Sequence, residues 1–283
     1  MALPTFIVIG AAKAGTTSIY AYMKQHPEIC VSDVKETNFF AYGDPYIEGN
    51  WPHLEWPVTT LEDYELQFSD CRGRTIIGES SPIYLHSQKA ADRIRQAIPS
   101  VRLIVSLRNP IDRAISGYFM HVRGGVGKGD FSDFDFDMRY VKDGFYSDLL
   151  AAYLSRFERE GIKICLFDDL ESNPTAFMCD LYAFVGANPD FVPDTAEAYN
   201  VGSAPRSIAI NTLLINPTLR RRIAPIFPKS LRRVGKALLQ WNRTTPPPFP
   251  DGLREKLQDH YGEEIDRLQT LTGLDLSRWT HNS

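Results

Sequence analysis

The sequence predicts an α/β fold in which a central parallel sheet is flanked by helices, giving three layers. Two observations lead to this prediction. Short runs of consecutive apolar residues recur along the chain, and such runs are typical of strands buried on both faces of a parallel sheet. Helix-like stretches lie between these runs, and this alternation indicates crossover connections between parallel strands.

The predicted strands and helices follow one another in regular order. The strands are Phe6–Ile9, Thr75–Gly78, Arg102–Leu107 and Lys163–Phe167. The helices are Thr17–Gln25, Gln88–Ile98, Pro110–Val122, Tyr146–Glu160 and Pro174–Phe184. The start of the third helix is well marked, because Asn109 is a favourable N-cap and Pro110 a favourable first helical residue.

Three regions interrupt this order. Residues 41–63 are rich in aromatic and turn residues, and residues 123–145 are rich in Gly and Asp and predict a long surface loop. Residues 198–250 contain nine Lys and Arg but no Asp or Glu, which predicts a solvated basic face or a surface that attracts anions. The sequence contains no internal repeat, and we predict one domain over residues 1–283.

Composition and charge exclude several classes of protein. Of the 283 residues 43% are hydrophobic, as in ordinary globular proteins, and a net charge of −4 gives no reason to expect nucleic acid as a partner. The N-terminus lacks the basic and apolar regions of a signal peptide, and no run of about 18 apolar residues predicts a transmembrane segment. Nothing in the sequence indicates an oligomeric state.

The four cysteines are scattered and show no metal-binding spacing, so we predict no metal site. Cys30 and Cys165 lie in apolar runs and are expected to be buried free thiols. Free thiols are typical of a reducing compartment, which favours a cytoplasmic location.

The segment FIVIGAAKAGTTSIYAYM, residues 6–23, predicts a strand, a glycine-containing loop and a helix. Backbone amides at such a helix N-terminus bind anions, so we expect a P-loop-like fold with a phosphate site. In the usual pattern G-x-x-x-x-G-K-[ST] a lysine follows the second glycine, but here Thr16 takes that place and Lys13 lies earlier. A lysine at position 13 would lie near the bridging atom of a donor that has fewer phosphates than ATP. There it could neutralise the charge that develops on a leaving phosphate. The alternative is an ordinary turn with an exposed lysine.

A second phosphate-type motif is RLIVSLRNPIDRAISGY. Arg108 follows the strand directly, and Ser116 lies eight positions later, about two turns into the next helix. Both side chains are predicted to bind one phosphate at the carboxyl edge of the sheet, where open α/β folds bind ligands. Arg113 is expected to form a structural salt bridge instead.

With both motifs in place, the sequence resembles the sulfotransferases that use 3′-phosphoadenosine-5′-phosphosulfate (PAPS). It is most similar to the branch that contains heparan sulfate sulfotransferases and their bacterial relatives. The resemblance covers most of the chain and rests on these segments: KAGTTSIYAYMKQHPEI, KETNFF, GESSPIYL, LRNPIDRAISGY, FDDLESNP and the C-terminal LREKLQDHYGEEIDRLQTLTGLDLSRW.

The resemblance implies transfer of a sulfuryl group from PAPS to a hydroxyl of a carbohydrate or small alcohol, with no required metal. Lys13 would stabilise the leaving oxygen. The implied 5′-phosphate ligands are Ala14, Gly15, Thr16, Thr17 and Ser18, and the implied 3′-phosphate ligands are Arg108, Ser116, Gly202, Ser203 and Arg206. Phe167 would stack near the adenine, or else be a core residue of its strand.

The resemblance also implies that Glu36 is the general base, with Lys35 as the competing polar residue beside it. A solvated loop carboxylate is the alternative for Glu36. Glu79 is expected on the acceptor side, as a second candidate base or as a partner that supports the base. In the heparan sulfate enzymes a lysine follows the corresponding glutamate, whereas this chain has Ser80.

Four aromatic residues within 41–63 are expected to line the acceptor site: Tyr42, Tyr46, Trp51 and Trp56. The acceptor itself is left open among a glycan, a lipid-linked sugar and a small alcohol or phenol. His26, His53 and His86 show no metal spacing and are expected to be structural or surface residues.

Two other functions compete with this one. A P-loop kinase of small molecules would use ATP and magnesium, and IKICLFDD would then supply a magnesium-binding aspartate. Thr16 in place of the P-loop lysine argues against it. A binding module without enzymatic activity is the second alternative.

Overall fold

A computed structural model describes residues 3–51, 54–195, 203–215, 237–238 and 240–280. By their internal contacts the residues divide into two compact units. The first comprises Met1–Asn109, Phe145–Asn200 and Glu263–Ser283, and the second comprises Pro110–Gly144 and Val201–Gly262. His53, Gly202 and much of the basic segment 198–250 lie outside the described residues.

The first unit is built on a five-stranded parallel sheet. The strands are β1 (Phe6–Gly10), β2 (Ile29–Val31), β3 (Ile76–Ser80), β4 (Arg102–Leu107) and β5 (Ile162–Leu166), in the order β2-β3-β1-β4-β5. The predicted α/β class with a central parallel sheet is therefore confirmed. β2 was not predicted, because three residues are too few to show a periodic pattern.

The remaining described elements are twelve α-helices, four short 3-10 helices (Phe39–Ala41, Ser69–Cys71, Pro82–His86 and Arg159–Gly161) and one small two-stranded ladder. The helices are α1 (Thr16–Gln25), α2 (Pro45–Asn50), α3 (Leu61–Leu66), α4 (Gln88–Ala97), α5 (Pro110–Arg123), α6 (Arg139–Lys142), α7 (Tyr146–Leu154), α8 (Phe167–Ser172), α9 (Pro174–Val185), α10 (Ile208–Ile215), α11 (Asp251–Thr272) and α12 (Ser277–Thr280). In the second unit β6 (Ala204–Pro205) pairs antiparallel with β7 (Arg243–Thr244). None of the helices in the described part of the chain is long and apolar enough to cross a membrane.

Most predicted boundaries differ from the structure by one or two residues, and three differences change the description of an element. Phe167 is the first residue of α8, not the last of β5, because the ladder with β4 ends at the pair Leu107–Leu166. The helix predicted to reach Glu160 ends at Leu154. The predicted loop 123–145 contains the short helix α6.

Apolar side chains of β1, α1 and α9 form one core beside the sheet. Phe6, Ile19 and Leu181 are each at most 1% exposed and belong to the same cluster. Gly78 of β3 admits the Phe6 ring, since a Cβ there would lie 2.1 Å from Phe6 Cζ. This close packing holds the first unit together at the strands that lead to the site.

Cys30 and Cys71 form a disulfide, with their Cα atoms 5.5 Å apart. The prediction that Cys30 is a free thiol was therefore wrong, whereas Cys165 is free and buried as predicted. The two bonded cysteines are 41 positions apart, and their approach depends on β2, which the sequence did not reveal. Burial raises the pKa of the Cys165 thiol to about 12, so it stays protonated.

Replacing both Cys30 and Cys71 by serine is expected to lower the free energy of unfolding of the first unit by about 2–4 kcal/mol. The disulfide closes a loop of 41 positions, so its loss raises the entropy of the unfolded chain. Thermal unfolding monitored by circular dichroism measures the change, with Cys179→Ser as control. An unchanged unfolding midpoint would contradict a structural role for the disulfide.

Candidate active site

The loop between β1 and α1 has a conformation that requires glycine. Gly15 has φ +78°, and a Cβ there would lie 2.6 Å from Leu170 Cδ2 and 2.8 Å from the Phe167 ring. Lys13 also lies in the left-handed region, with φ +72°. The Ala11 amide donates to the Ser106 carbonyl of β4 at 2.8 Å, which ties the loop to the neighbouring strand. The first-turn amides of α1 therefore lie beside the carboxyl ends of β1 and β4.

Lys13, Arg108 and Phe167 lie together at this edge of the sheet. Arg108 Nη1 donates to the Lys13 carbonyl at 3.3 Å, and the guanidinium carbon lies 4.6 Å from the centre of the Phe167 ring. The Arg108 carbonyl accepts from the Tyr146 hydroxyl at 2.9 Å. Three residues that were predicted to bind the sulfuryl donor therefore lie close together, although they come from three separate segments.

Arg108 has no carboxylate partner among the described residues. Its contacts are a carbonyl and an aromatic face, and neither neutralises its charge. A half-buried guanidinium without a counter-ion, next to a helix N-terminus, gives a site that favours an anion.

Glu36 lies in a strained segment with its carboxylate accessible. Glu36 and Asn38 have φ of +65° and +57°, a region that glutamate rarely adopts and asparagine adopts more readily. The Glu36 amide donates to the Ser80 carbonyl at 2.9 Å. Its side chain is 47% exposed and forms an ion pair with Lys35 Nζ. Lys35, predicted as the competing polar residue, is thus the direct partner of Glu36.

Glu79, at the end of β3, is 1% exposed. Its Oε1 accepts from Thr37 Oγ1 at 2.6 Å, Ser81 Oγ at 2.6 Å and Tyr84 OH at 2.7 Å, and Oε2 accepts from Tyr64 OH. Burial first, and the Glu79 charge second, raise the pKa values of Tyr64 and Tyr84 well above their usual range. Of the two predicted roles for Glu79, this geometry favours a partner that supports the base.

Sequence reasoning missed the residues that surround Glu79. Thr37 and Tyr84 lie inside the motifs KETNFF and GESSPIYL, but nothing marks them as partners of one carboxylate. Tyr64 lies on α3, outside every motif. No spacing along the sequence connects residues from three separate segments, so only the fold reveals them.

The aromatic residues predicted to line the acceptor site form two pairs. Tyr42 packs edge-on against Trp56 with ring centres 5.5 Å apart, and Tyr46 packs against Trp51 at 6.1 Å. Tyr42 and Tyr46 are 39% and 50% exposed. Both tyrosines are thus partly accessible to solvent, and the role of Tyr42 and Trp51 in acceptor binding stays a prediction.

The second unit contains the other residues predicted to bind the donor. Ser116 is half-buried on α5. Ser203 precedes β6, and its carbonyl accepts from Arg123 Nη1. Arg206 follows β6, and its guanidinium carbon lies 5.3 Å from the Trp241 ring centre. Burial and the charge of Arg243 lower the pKa of Arg123, a basic residue that the sequence gave no reason to single out.

Arg113 and Asp143 form a buried salt bridge in the second unit. Arg113 Nη2 lies 2.9 Å from Asp143 Oδ2, and the arginine side chain is 2% exposed. The predicted structural role of Arg113 is therefore confirmed.

The acidic pair that follows β5 contacts the C-terminal helix. Asp169 accepts from Arg278 at 2.9 Å, and Asp168 accepts from Trp279 Nε1 at 3.2 Å. A magnesium role for these carboxylates, which the kinase alternative required, would have to break both contacts. No cluster of three or more metal-ligating side chains occurs in the part of the chain that the structure describes.

Comparisons with known proteins address the family directly. The profile of the Sulfotransferase family matches residues 4–190. The membrane-associated sulfotransferase kil1 of Dictyostelium discoideum is 32% identical over 123 residues, covering 44% of this chain and 24% of that protein. The mouse bifunctional heparan sulfate N-deacetylase/N-sulfotransferase 4 is 28% identical over 211 residues, covering 67% of this chain and 23% of that protein.

A solved structure supports the fold. A sulfotransferase from Alicyclobacillus acidocaldarius matches 99% of this chain and 100% of its own, with 26% identity and a TM-score of 0.71. The chain spans only about a quarter of the length of the two curated relatives. These matches do not support the kinase alternative. Since the family profile covers well over half of the sequence, the chain belongs to the sulfotransferase family.

Proposed function

We propose that this protein transfers a sulfuryl group from PAPS to a hydroxyl of an acceptor. The observation that carries the proposal is that Arg108 contacts the Lys13 carbonyl just before the N-terminus of α1. Arg108 has no carboxylate partner among the described residues. This arrangement favours a donor with a phosphate near each cation. PAPS has two separated phosphates and no γ-phosphate, which fits a loop whose lysine is displaced from the P-loop position.

In the proposed reaction the acceptor oxygen attacks sulfur in line with the leaving group. The bond between sulfur and the bridging oxygen of the 5′-phosphate breaks, and Glu36 takes the acceptor proton. Lys13 stabilises the charge that develops on the leaving phosphate. The chemistry resembles phosphoryl transfer, in which positioning and charge stabilisation supply most of the catalysis. No metal is required in this scheme.

The remaining donor contacts belong to the same proposal. Amides and hydroxyls of Ala14 to Ser18 would hold the 5′-phosphate, and Phe167 would stack on the adenine. Ser116, Gly202, Ser203 and Arg206 would hold the 3′-phosphate. Fully buried Arg113 is left out, because Asp143 already neutralises it.

We propose a carbohydrate hydroxyl as the first acceptor to test and a small alcohol as the second. The names of two relatives include heparan sulfate as their substrate. The partly exposed rings of Tyr42 and Tyr46 would suit contact with a sugar ring. Ser80 replaces a lysine that the heparan sulfate enzymes carry, so we expect an acceptor with less negative charge than heparan sulfate.

The cytoplasmic location of the protein stays a prediction. The sequence favoured the cytoplasm because Cys30 was expected to be a free thiol. The Cys30–Cys71 disulfide removes that argument, since such bonds are rare in reducing compartments.

Arg108→Ala is expected to weaken binding of adenosine 3′,5′-bisphosphate (PAP), the desulfated product, by about ten- to hundredfold. The substitution removes a charge-assisted contact to a phosphate and also the brace on the Lys13 carbonyl. Calorimetric titration of PAP without magnesium measures the change.

Arg72→Ala is the matched control, because Arg72 is an exposed arginine of the first unit outside the site. Transfer of radiolabelled sulfate from PAPS to desulfated heparan sulfate, or to 4-nitrophenol, then distinguishes an enzyme from a binding module. Absence of PAP binding by the wild-type protein would reject the proposed function.

A further inference from the structure

The segment that contains Glu36 lies in an unfavourable backbone conformation. Glu36 and Asn38 are both in the left-handed region. This conformation is unfavourable for glutamate and better tolerated by asparagine, and it persists at Glu36 only where the surrounding structure fixes it. Something outside the segment must therefore hold residues 36–38.

Several hydrogen bonds fix this segment to the end of β3. The Glu36 amide donates to the Ser80 carbonyl at 2.9 Å, and the Asn38 amide donates to Ser81 Oγ at 3.1 Å. Thr37 Oγ1 donates to Glu79 Oε1 at 2.6 Å. Ser81 also donates to Glu79, so the two hydroxyls that hold the segment, those of Thr37 and Ser81, end on the same carboxylate. Asn38 Nδ2 adds a separate bond to the Glu55 carbonyl at 3.0 Å.

Glu79 suits this role because of its charge. An ionised carboxylate accepts about four hydrogen bonds and donates none, and Glu79 accepts four. Tyr64 and Tyr84 are the titratable groups that contact it, and both keep their protons because burial raises their pKa values. Lys35 forms its ion pair with Glu36 rather than with Glu79. A glutamine at position 79 would replace one acceptor oxygen by an NH₂ donor, so the hydroxyls that now donate to that oxygen would have to reorient and accept.

We infer that Glu79 is a positioning residue, which holds Thr37 and Ser81 so that the neighbouring Glu36 carboxylate is fixed towards the acceptor. This inference rests on the proposed function, in which Glu36 is the base. Glu79 itself is 1% exposed and has no accessible oxygen for an acceptor proton.

Thr37→Val tests the inference at a single side-chain oxygen, which contacts Glu79 Oε1 at 2.6 Å and Tyr84 OH at 3.1 Å. Valine keeps the shape of threonine and removes only the hydroxyl that joins the segment to Glu79. Thr37→Ser keeps a hydroxyl and serves as the rescue variant. Glu79→Gln is the second test, and Thr270→Val, at an exposed position of α11, is the matched control.

Two measurements decide the outcome. Amide hydrogen exchange of residues 36–38 should accelerate in Thr37→Val and not in Thr37→Ser. The kcat for PAP release from PAPS should fall by about ten- to hundredfold in Thr37→Val and Glu79→Gln, with the Kd for PAP unchanged. Desulfated heparan sulfate is the acceptor, or water if the wild-type protein does not use the glycan.

The pH profile distinguishes a positioning residue from a base. A carboxylate base must be ionised, so activity is lost as pH falls. This loss of activity at low pH, the acid limb of the profile, should persist in Glu79→Gln with a lower maximal kcat. It should disappear in Glu36→Gln.

The opposite pattern, or wild-type exchange rates in Thr37→Val, would overturn the inference. Amide hydrogen exchange of Thr37→Val requires no acceptor, so it still tests the inference if Glu79→Gln does not fold. Failure of the wild-type protein to bind PAP would reject the proposed function instead.

Discussion

Replacing Lys13 by alanine is expected to lower kcat by about 10²- to 10³-fold, with a much smaller effect on the Kd for PAP. The reason is that charge on the bridging oxygen develops only as the bond to sulfur breaks. An interaction made mainly in the transition state affects turnover more than binding. Single-turnover transfer from PAPS and calorimetric titration of PAP measure the two effects separately.

The control for Lys13 is Lys24→Ala, since Lys24 is an exposed lysine in the last turn of α1. Arg108 contacts the carbonyl of Lys13 rather than its side chain, so the substitution leaves this brace on the loop in place. Equal losses in kcat and in PAP affinity would contradict a role specific to the leaving group. Lys13 would then be an ordinary ligand of the 5′-phosphate.

The parts of the fold that could be predicted from the sequence are those with local signals. Continuous apolar runs revealed four of the five strands, and β4 was predicted with its observed bounds. Gly10, Gly15 and the hydroxyl residues after them marked the first loop. Asn109 and Pro110 marked the start of α5, which begins at Pro110. These features depend on residues within a few positions of one another, so the sequence alone shows them.

The features that the sequence did not reveal depend on distant pairings. β2 is only three residues long, and its contact with β3 brings Cys30 near Cys71. Phe167 reads as a strand residue because it is apolar, but its neighbouring strand has already ended. The hydroxyls around Glu79 come from three segments, and their common partner appears only after folding.

The candidate site shows the same division. Lys13, Glu36 and Arg108 were identified from motifs, and the structure adds how Lys13 and Arg108 meet. It also adds the ion pair between Glu36 and Lys35, which the sequence left open as a competition between two polar neighbours. Lys35 and Glu36 lie in the irregular segment after β2, and Glu36 has a left-handed backbone, so no regular spacing predicts that these neighbours pair.

Glu36→Gln is expected to lower kcat by about 10²- to 10⁴-fold while the Kd for PAP stays unchanged. Glutamine keeps the size of the side chain and its hydrogen bonding but cannot accept the acceptor proton. The backbone strain at position 36 is the same for both residues, so the substitution tests the carboxylate alone. Single-turnover transfer from PAPS gives kcat, and calorimetry gives the affinity.

The ion pair with Lys35 gives Glu36 two separable roles. If Glu36 only held Lys35 in place, Lys35→Met and Glu36→Gln would lower kcat to the same extent, and both would lose the acid limb, because neither variant retains the ion pair. If Glu36 is the base, only Glu36→Gln removes the acid limb, because Lys35→Met leaves a carboxylate to be titrated. Glu48→Gln, at an exposed position of α2, controls for the loss of a negative charge from this part of the first unit. Wild-type turnover in Glu36→Gln would show that the base lies elsewhere, and fully buried Glu79 would then need a conformational change to reach an acceptor.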